Sequence, residues 1–232
     1  MTAYRPDQPI SVIVPVFDRV TFLEEAVASV LAQDHELEVV IVDDGSTDGT
    51  SALADRLAEA DARVRVVHQA NAGAGAARNV AMRAARHDLV ANQDSDDVML
   101  PGRLARQLGF LVDHPGAVAM VAMARKEVMP GRAPVNLQLT RHGNVDPGAM
   151  STLLVDRRIA LDVGGYDEHL VVAEDLELLV RLTAAGHRFE HLEEVVSIRR
   201  FHDTNISAAE VDPEATLLAL MRRHLLRSRA AE

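Results

Sequence analysis

A chain of 232 residues can bury the core of one α/β domain, or of two small ones. Its 48% hydrophobic and 25% charged composition excludes a disordered chain, and its longest apolar stretch, Ala117 to Ala124, is far short of the roughly 20 residues a spanning helix needs. A net charge of −11 with 24 scattered basic residues excludes a nucleic-acid footprint and favours a divalent cation, which oxygen and imidazole must hold because cysteine is absent.

From Ile10 onward, short apolar runs alternate with helical patterns. SVIVPV precedes FLEEAVASVLAQ, LEVVIV precedes TSALADRLAEA, VRVV precedes GAARNVAMRAARH, and DLVANQ precedes LPGRLARQLGFLV. The runs are rich in Val and Ile and bounded by turn residues, as strands are, while the segments between them repeat apolar residues at helical spacing. The strand ends fall near residues 16, 42, 67 and 91, about one βα unit apart. This pattern predicts an α/β fold, a mainly parallel central sheet with helices on both faces.

After Gly116 the pattern loosens. AVAMVAMA reads as a fifth strand, and Met129 to Gly148, rich in Pro, Gly and Asn, as a long surface excursion. A short strand at STLLV, a short helix near RRIALDVG, a helix from Glu174 to about Ala185 and a strand in EEVVSIRRF follow, then an amphipathic helix over about 213–230. No low-complexity linker interrupts the chain, so residues 1–232 are expected to form one domain, with a nucleotide-binding half over about 10–115 and an acceptor-side half over about 116–210. The opening residues, MTAYRPDQP, carry no apolar signal core, which predicts a cytoplasmic protein with no integral membrane segment. Peripheral contact with a membrane and a homodimeric assembly are both compatible with the pattern.

In an open parallel sheet, ligands bind beyond the carboxyl ends of the strands. Polar loops follow the first four runs: Asp18-Arg19, Asp43 to Gly49, Asn71 to Gly75, and Asp94-Ser95-Asp96-Asp97. In DDGSTDGT, Ser46, Thr47 or Asp48 can cap the next helix, which leaves Asp43 to accept from a nucleobase N–H or a ribose hydroxyl. NAGAGAARN looks like a dinucleotide fingerprint at Gly73-x-Gly75, the feature on which an NAD-dependent oxidoreductase would rest. Yet Arg78 takes the third glycine position, and the motif follows the third strand instead of the first. No Walker-type phosphate loop is available, because the single lysine, Lys126, follows no glycine-rich loop. DSDD departs from a calcium loop at Met99, where that loop requires glycine. Alone it is an acidic turn; on this rim, a divalent cation arriving with a diphosphate would relieve the repulsion among its carboxylates.

In AEDLELLVRL, helical spacing puts Asp175 on the stripe of Leu178, Leu179 and Leu182, and Glu174 with Glu177 and Arg181 on the polar side. An acid at the mouth of an apolar stripe is a candidate general base, so Asp175 is preferred to Glu174. Glu177 and Arg181 read as a surface pair. His202, flanked by Arg199, Arg200 and Asp203, is either a solvated loop histidine or a ligand to metal or diphosphate. The GxSxG nucleophile elbow is absent.

In this order the motifs SVIVPVFDR, VVIVDDGSTDGT, NAGAGAARN, QDSDD, VGGYDEHL, EDLELLVRL and RRFHDTNIS resemble glycosyltransferase family 2 on the GT-A fold, over Ser11 to about Ser207. The resemblance implies metal-dependent (Mg²⁺ or Mn²⁺), inverting transfer of a sugar from a nucleotide diphosphate donor, of UDP or TDP type, to an acceptor hydroxyl. It implies that Pro15, Val16, Asp18, Asp43, Asp44, Arg78 and Asp94 bind the nucleotide. It likewise implies that Asp94 and Asp96 form a D-x-D motif, that Asp96 and His202 hold the metal, and that Asp175 is the base. Gly165, Tyr166 and Glu174 would lie near the acceptor or the transferred sugar. Two positions depart from the family's habit, Phe17 for tyrosine and Asp18 for asparagine. Scarce aromatics, 3% with no tryptophan, provide no stacking platform for a long polysaccharide, and a small or lipid-linked acceptor fits better. A non-catalytic module that binds a sugar nucleotide is the alternative from another class.

Overall fold

The structure, a computed structural model, describes residues 3–129 and 144–202. Strands β1 (Ile10–Val16), β2 (Leu37–Asp43), β3 (Val64–His68) and β4 (Leu89–Asn92) lie parallel in the order β3-β2-β1-β4. Helices α1 (Leu23–Leu31), α2 (Thr50–Ala60) and α3 (Ala74–Ala84) make the crossovers between them. The four expected βα units are therefore present, with boundaries moved by a few residues. Register brings Val16, Asp43 and His68 to one level, because Val16 pairs with Asp43 and Asp43 with His68. β4 ends earlier, with Asn92 opposite Ile13, so the acidic residues after it turn back over the carboxyl ends of its neighbours.

The rest of the chain extends the sheet. After β5 (Val98–Met99) and α4 (Arg103–Asp113) come β6 (Ala117–Val128), β7 (Val145–Asp156), α5 (Arg157–Asp162), α6 (Glu174–Ala184) and β8 (Arg188–Phe201). The full order is β3-β2-β1-β4-β7-β6-β8-β5, with β6 parallel to β8 and antiparallel pairing at β4-β7, β7-β6 and β8-β5.

Alternation along the strands builds a core on each face. On β2, Leu37, Val39 and Ile41 pack with Leu23, Val27 and Val30 of α1, Leu53 of α2 and Leu104, Leu108 and Leu111 of α4. Val40 and Val42 face the other way, toward Ala77, Ala81 and Met82 of α3 and Leu178, Leu179 and Leu182 of α6. The α4 leucines are fully buried, and truncating one to alanine would cost about 2–5 kcal/mol.

The structure departs from the sequence expectations in three places. Val98 and Met99 form a strand too short to show a period, pairing with Ile198 and Ser197. Val145 to Gly148, expected in a surface excursion, belongs to β7, where shifts of register between Met120 and Ala124 accommodate a segment containing Pro147 and Gly148. β8 starts five residues earlier than EEVVSIRRF because its partner β6 runs for 12 residues. Most of the Met129 to Gly148 excursion and the helix expected over about 213–230 lie outside the described residues.

Candidate active site

A cavity of about 600 Å³ opens beyond the carboxyl ends of β1 to β4. Its walls come from Pro15, Val16, Phe17 and Arg19, from Asp44, from the start of α3, from Asp94 to Asp97, from the first half of β7, and from the segment Val171 to Asp175 that opens α6.

On the β2 side, neighbouring aspartates diverge. Asp43 does not line the cavity; its carboxylate accepts from Ser46 N (3.1 Å), Ser51 Oγ and His68 Nδ1 (3.0 Å). Burial would raise its pKa, but these hydrogen bonds outweigh burial and hold the carboxyl below its usual range. Asp44 does line the cavity, and accepts from Ala72 N and Gly73 N, both at 2.8 Å. The Gly73-x-Gly75 motif is thereby explained without a dinucleotide. Its first amide serves Asp44, while Gly75 lets the Asp167 carbonyl approach, 3.1 Å from where a Cβ would stand. Asp18, at φ +50°, is also spent locally, its Oδ1 accepting from Thr47 N at 2.7 Å. Pro15 and Val16 line the cavity; Asp18 does not.

The acidic turn after β4 splits in function. Asp96 Oδ2 faces His202 Nε2 at 3.0 Å and Arg19 Nε at 3.4 Å. Burial opposes its charge, but His202 and Arg19 together hold its pKa below the usual carboxylate value. His202 is fully buried and stacked on Phe22, ring centroids 4.5 Å apart. Asp97 is 1% exposed and accepts from Arg200 N; burial and the charges of Asp94 and Asp96 push its pKa well up. Beneath the turn sits Arg103, fully buried and bonded to Gln107, to Gln93 and to the carbonyls of Asn92 and Ser151. Burial lowers its pKa to about 10, which leaves it charged at neutral pH.

Among the described residues, no group of three or more His, Asp or Glu side chains gathers as a metal cage. Asp96 and His202 nevertheless fit a divalent ion as two protein ligands, since such ions take one or two carboxylates and complete their shell with water and substrate phosphate. The donors these two residues would offer are oxygen and imidazole.

Across the cavity, Arg78 on α3 is 5% exposed and faces three carboxylates. Its Nη1 pairs with Glu174 Oε1, Nη2 donates to Asp94 Oδ1 at 2.8 Å, and Nε lies 3.8 Å from Asp175 Oδ1. Asp175 also lies 3.4 Å from Asn92 Nδ2. Burial, reinforced by the charges of Glu174 and Asp94, prevails over Arg78 and raises the Asp175 pKa to about 7. Tyr166 is buried behind this network, donating to Asn92 Oδ1 at 3.0 Å beneath the Arg78 guanidinium. Gly165, at φ +68°, lies where a Cβ would strike Asn79 Oδ1. Neither Gly165 nor Tyr166 lines the cavity, whereas Glu174 does. Glu177 and Arg181 are not a solvated pair: Glu177 is buried, and Arg181 clamps the Val163 and Gly165 carbonyls, closing the turn before Tyr166.

The cavity thus joins Pro15, Val16, Asp44, Arg78, Asp94, Asp96, Glu174 and Asp175, and leaves Asp18, Asp43, Gly165, Tyr166 and His202 outside its walls, His202 being buried behind Asp96. It also recruits Arg19, Asp146 and Arg199, which sequence reasoning did not select as site residues. Arg199 bonds Asp146 at 2.7 Å across β8 and β7, strands that are not paired to each other and whose proximity leaves no local trace in sequence.

Residues 11–162 match the family model described as Glycosyl transferase family 2. The chain belongs to glycosyltransferase family 2. A relative in this family, the succinoglycan biosynthesis protein ExoU of Rhizobium meliloti (strain 1021), is 32% identical over 82% of this chain and 61% of its own length. Among solved structures, the mannosyltransferase PcManGT from Pyrobaculum calidifontis, in complex with GDP-Man and Mn²⁺, superposes with a TM-score of 0.67 at 23% identity, covering 85% of this chain and 59% of its own. S. aureus TarS 1-349, in complex with UDP-GlcNAc, superposes with a TM-score of 0.69 at 24% identity, covering 92% and 64%. These likenesses establish the fold, the GT-A arrangement that the motif order implied. The chain spans less than two thirds of the length of these family 2 relatives and neighbours. No helix among the described residues is long and apolar enough to cross a membrane.

Proposed function

We propose that this family 2 protein transfers a sugar from a nucleoside diphosphate donor to an acceptor hydroxyl, with inversion at the anomeric carbon. The observation that carries it is the meeting, in one cavity, of the D-x-D carboxylates Asp94 and Asp96 with Asp175, a buried carboxyl whose pKa of about 7 suits a general base. The ligands named for the two structural neighbours, GDP-Man with Mn²⁺ and UDP-GlcNAc, support a donor of this class without fixing its base.

Electrostatics argue for a cation. Asp44, Asp94, Asp96, Asp146, Glu174 and Asp175 outnumber Arg19, Arg78 and Arg199 along the walls, so a diphosphate entering alone meets net repulsion. Asp96 and His202 would hold a divalent ion, which as a Lewis acid supplies charge stabilisation for a departing diphosphate. Arg78 holds Glu174 and Asp94 in place through its ion pairs. Asp175 accepts the acceptor hydroxyl's proton while that oxygen bonds to the anomeric carbon, and the bond from that carbon to the diphosphate oxygen breaks on the opposite side. Val171, Val172 and Met150 line the same cavity and would face the acceptor.

The test is release of nucleoside diphosphate from a panel of sugar nucleotides with Mn²⁺ or Mg²⁺, the product's anomeric configuration being read by NMR. Full activity in Asp96→Ala would remove the metal role, and retention of configuration would remove direct displacement.

A further inference from the structure

Arg19 has an unusual neighbour for a cation in a cavity proposed to take another cation. Its Nε lies 3.4 Å from Asp96 Oδ2, and the two side chains are 12% and 13% exposed. Nη1 donates to the carbonyls of Asp18, at 2.9 Å, and Phe17, at 3.3 Å. The backbone here is tied down, because Arg19 N donates to Thr50 Oγ1 at 2.8 Å, Val20 N to Asp48 Oδ2 at 3.1 Å and Asp18 N to Ser46 Oγ at 3.0 Å. A change in the position of the guanidinium must therefore come from rotation of its side chain.

His202 and Arg19, which both face Asp96 Oδ2, differ in chemistry. The imidazole of His202 can exchange its hydrogen bond for a lone pair offered to a metal. A guanidinium offers no lone pair to a metal and carries a positive charge, so beside a divalent ion on the same carboxylate it meets electrostatic repulsion. Elsewhere in the cavity, Arg78 is engaged by Asp94, Glu174 and Asp175, and Arg199 by Asp146. Arg19 is the cavity cation whose carboxylate is the one a divalent ion would claim.

We propose that Arg19 holds Asp96 against divalent cations until a nucleoside diphosphate draws its guanidinium away, so that cation and nucleotide bind cooperatively. The proposal rests on the donor class assigned above. Linkage requires the coupling to be reciprocal: the nucleotide must tighten the ion by the same factor as the ion tightens the nucleotide.

The experiment titrates Mn²⁺, followed by the spin-resonance signal of the free ion, with and without UDP or GDP. It uses the wild type, Arg19→Gln, Arg19→Lys and Asp96→Asn, and calorimetry measures nucleotide binding without metal. In the wild type, nucleotide should tighten Mn²⁺ on the order of tenfold. Arg19→Gln should tighten Mn²⁺ alone by a similar factor and weaken metal-free nucleotide, shrinking the coupling, while Arg19→Lys, which keeps a charge, should lie between. Mn²⁺ affinity that is unchanged in Arg19→Gln, or that survives Asp96→Asn, overturns the proposal while leaving the donor class standing. If Arg19→Gln proves too unstable to titrate, the wild type decides alone, since equal Mn²⁺ affinity with and without bound nucleotide overturns the idea. Failure of both nucleotides to bind the wild type with or without Mn²⁺ overturns the donor class as well.

Discussion

Arg78 Nε stands 3.8 Å from Asp175 Oδ1, while its two terminal nitrogens bond Glu174 and Asp94. Asp175 is thus the carboxylate to which this cation makes no close hydrogen bond, and burial prevails over their attraction and lifts its pKa to about 7. As the base, it must be ionised, so kcat/KM should climb to a plateau above an apparent pKa near 7, and Asp175→Asn should lose on the order of 10²–10⁴ in rate. Stability runs the other way. The folded pKa lies above the unfolded value of about 3.9, so the folded state keeps a proton the unfolded state has released, and this group's contribution falls as pH rises through that window. The Tm of Asp175→Asn relative to wild type should therefore be more favourable at pH 8 than at pH 5, and a constant difference across scanning calorimetry runs would count against the raised pKa.

Replacing Arg78 with methionine leaves Asp94, Glu174 and Asp175 without their common cation. The expected loss, by urea unfolding near neutral pH, is about 3–5 kcal/mol, the cost of stranding buried charge. The loss should shrink at lower pH as Asp175 takes up its proton. Because Arg78 lowers the Asp175 pKa, the activity profile of the variant should also shift to higher pH. Arg78→Lys should recover little, since one ammonium cannot span the directions the guanidinium serves.

Gly165→Ala should destabilise by about 1–3 kcal/mol, because a side chain at φ +68° is strained and its Cβ would meet Asn79 Oδ1. Adding Asn79→Ala should remove the contact but not the backbone strain. A double variant as stable as Asn79→Ala alone, in chemical denaturation, would show that the strain is absent.

His68 bridges Asp43 and Asp55, at 3.0 and 2.9 Å, and these hydrogen bonds raise its pKa. Its stabilisation is fully present below the unfolded value of about 6.5 and is lost as pH rises through the raised folded value. Asp43, held low, contributes above about 3.9 and loses that contribution as pH falls through its own folded pKa. Tm against pH should therefore be highest between these limits, and His68→Gln should flatten the alkaline side. An NMR titration placing His68 at or below its unperturbed pKa would refute this.

The parity of β2 shows how much of the site lay within reach of sequence reasoning. Leu37, Val39 and Ile41 pack toward α1, α2 and α4, and Asp43 continues that face toward Ser51 of α2. Val40 and Val42 pack toward α3, and Asp44 continues that face into the cavity. The alternation is visible in LEVVIVDD, but which face borders the cavity is settled by the packing of α3 and α6. Helical spacing singled out Asp175 correctly as lying on the stripe of Leu178, Leu179 and Leu182, yet it also predicted an exposed Glu174, which Arg78 draws into the interior.

By itself the sequence determined the alternation of strand and helix, the acidic turns at the carboxyl ends of the strands, and the oxygen and imidazole character of any metal site. These depend on neighbours a few positions apart, where strand and helix periods operate. Tertiary structure alone decided which charges meet: Arg78 with Glu174 across 96 positions, and Asp96 with His202 across 106. Such contacts follow from the order in which β7, β6 and β8 join the sheet, and the energy that selects that order is spread over both cores, beyond the reach of any local pattern.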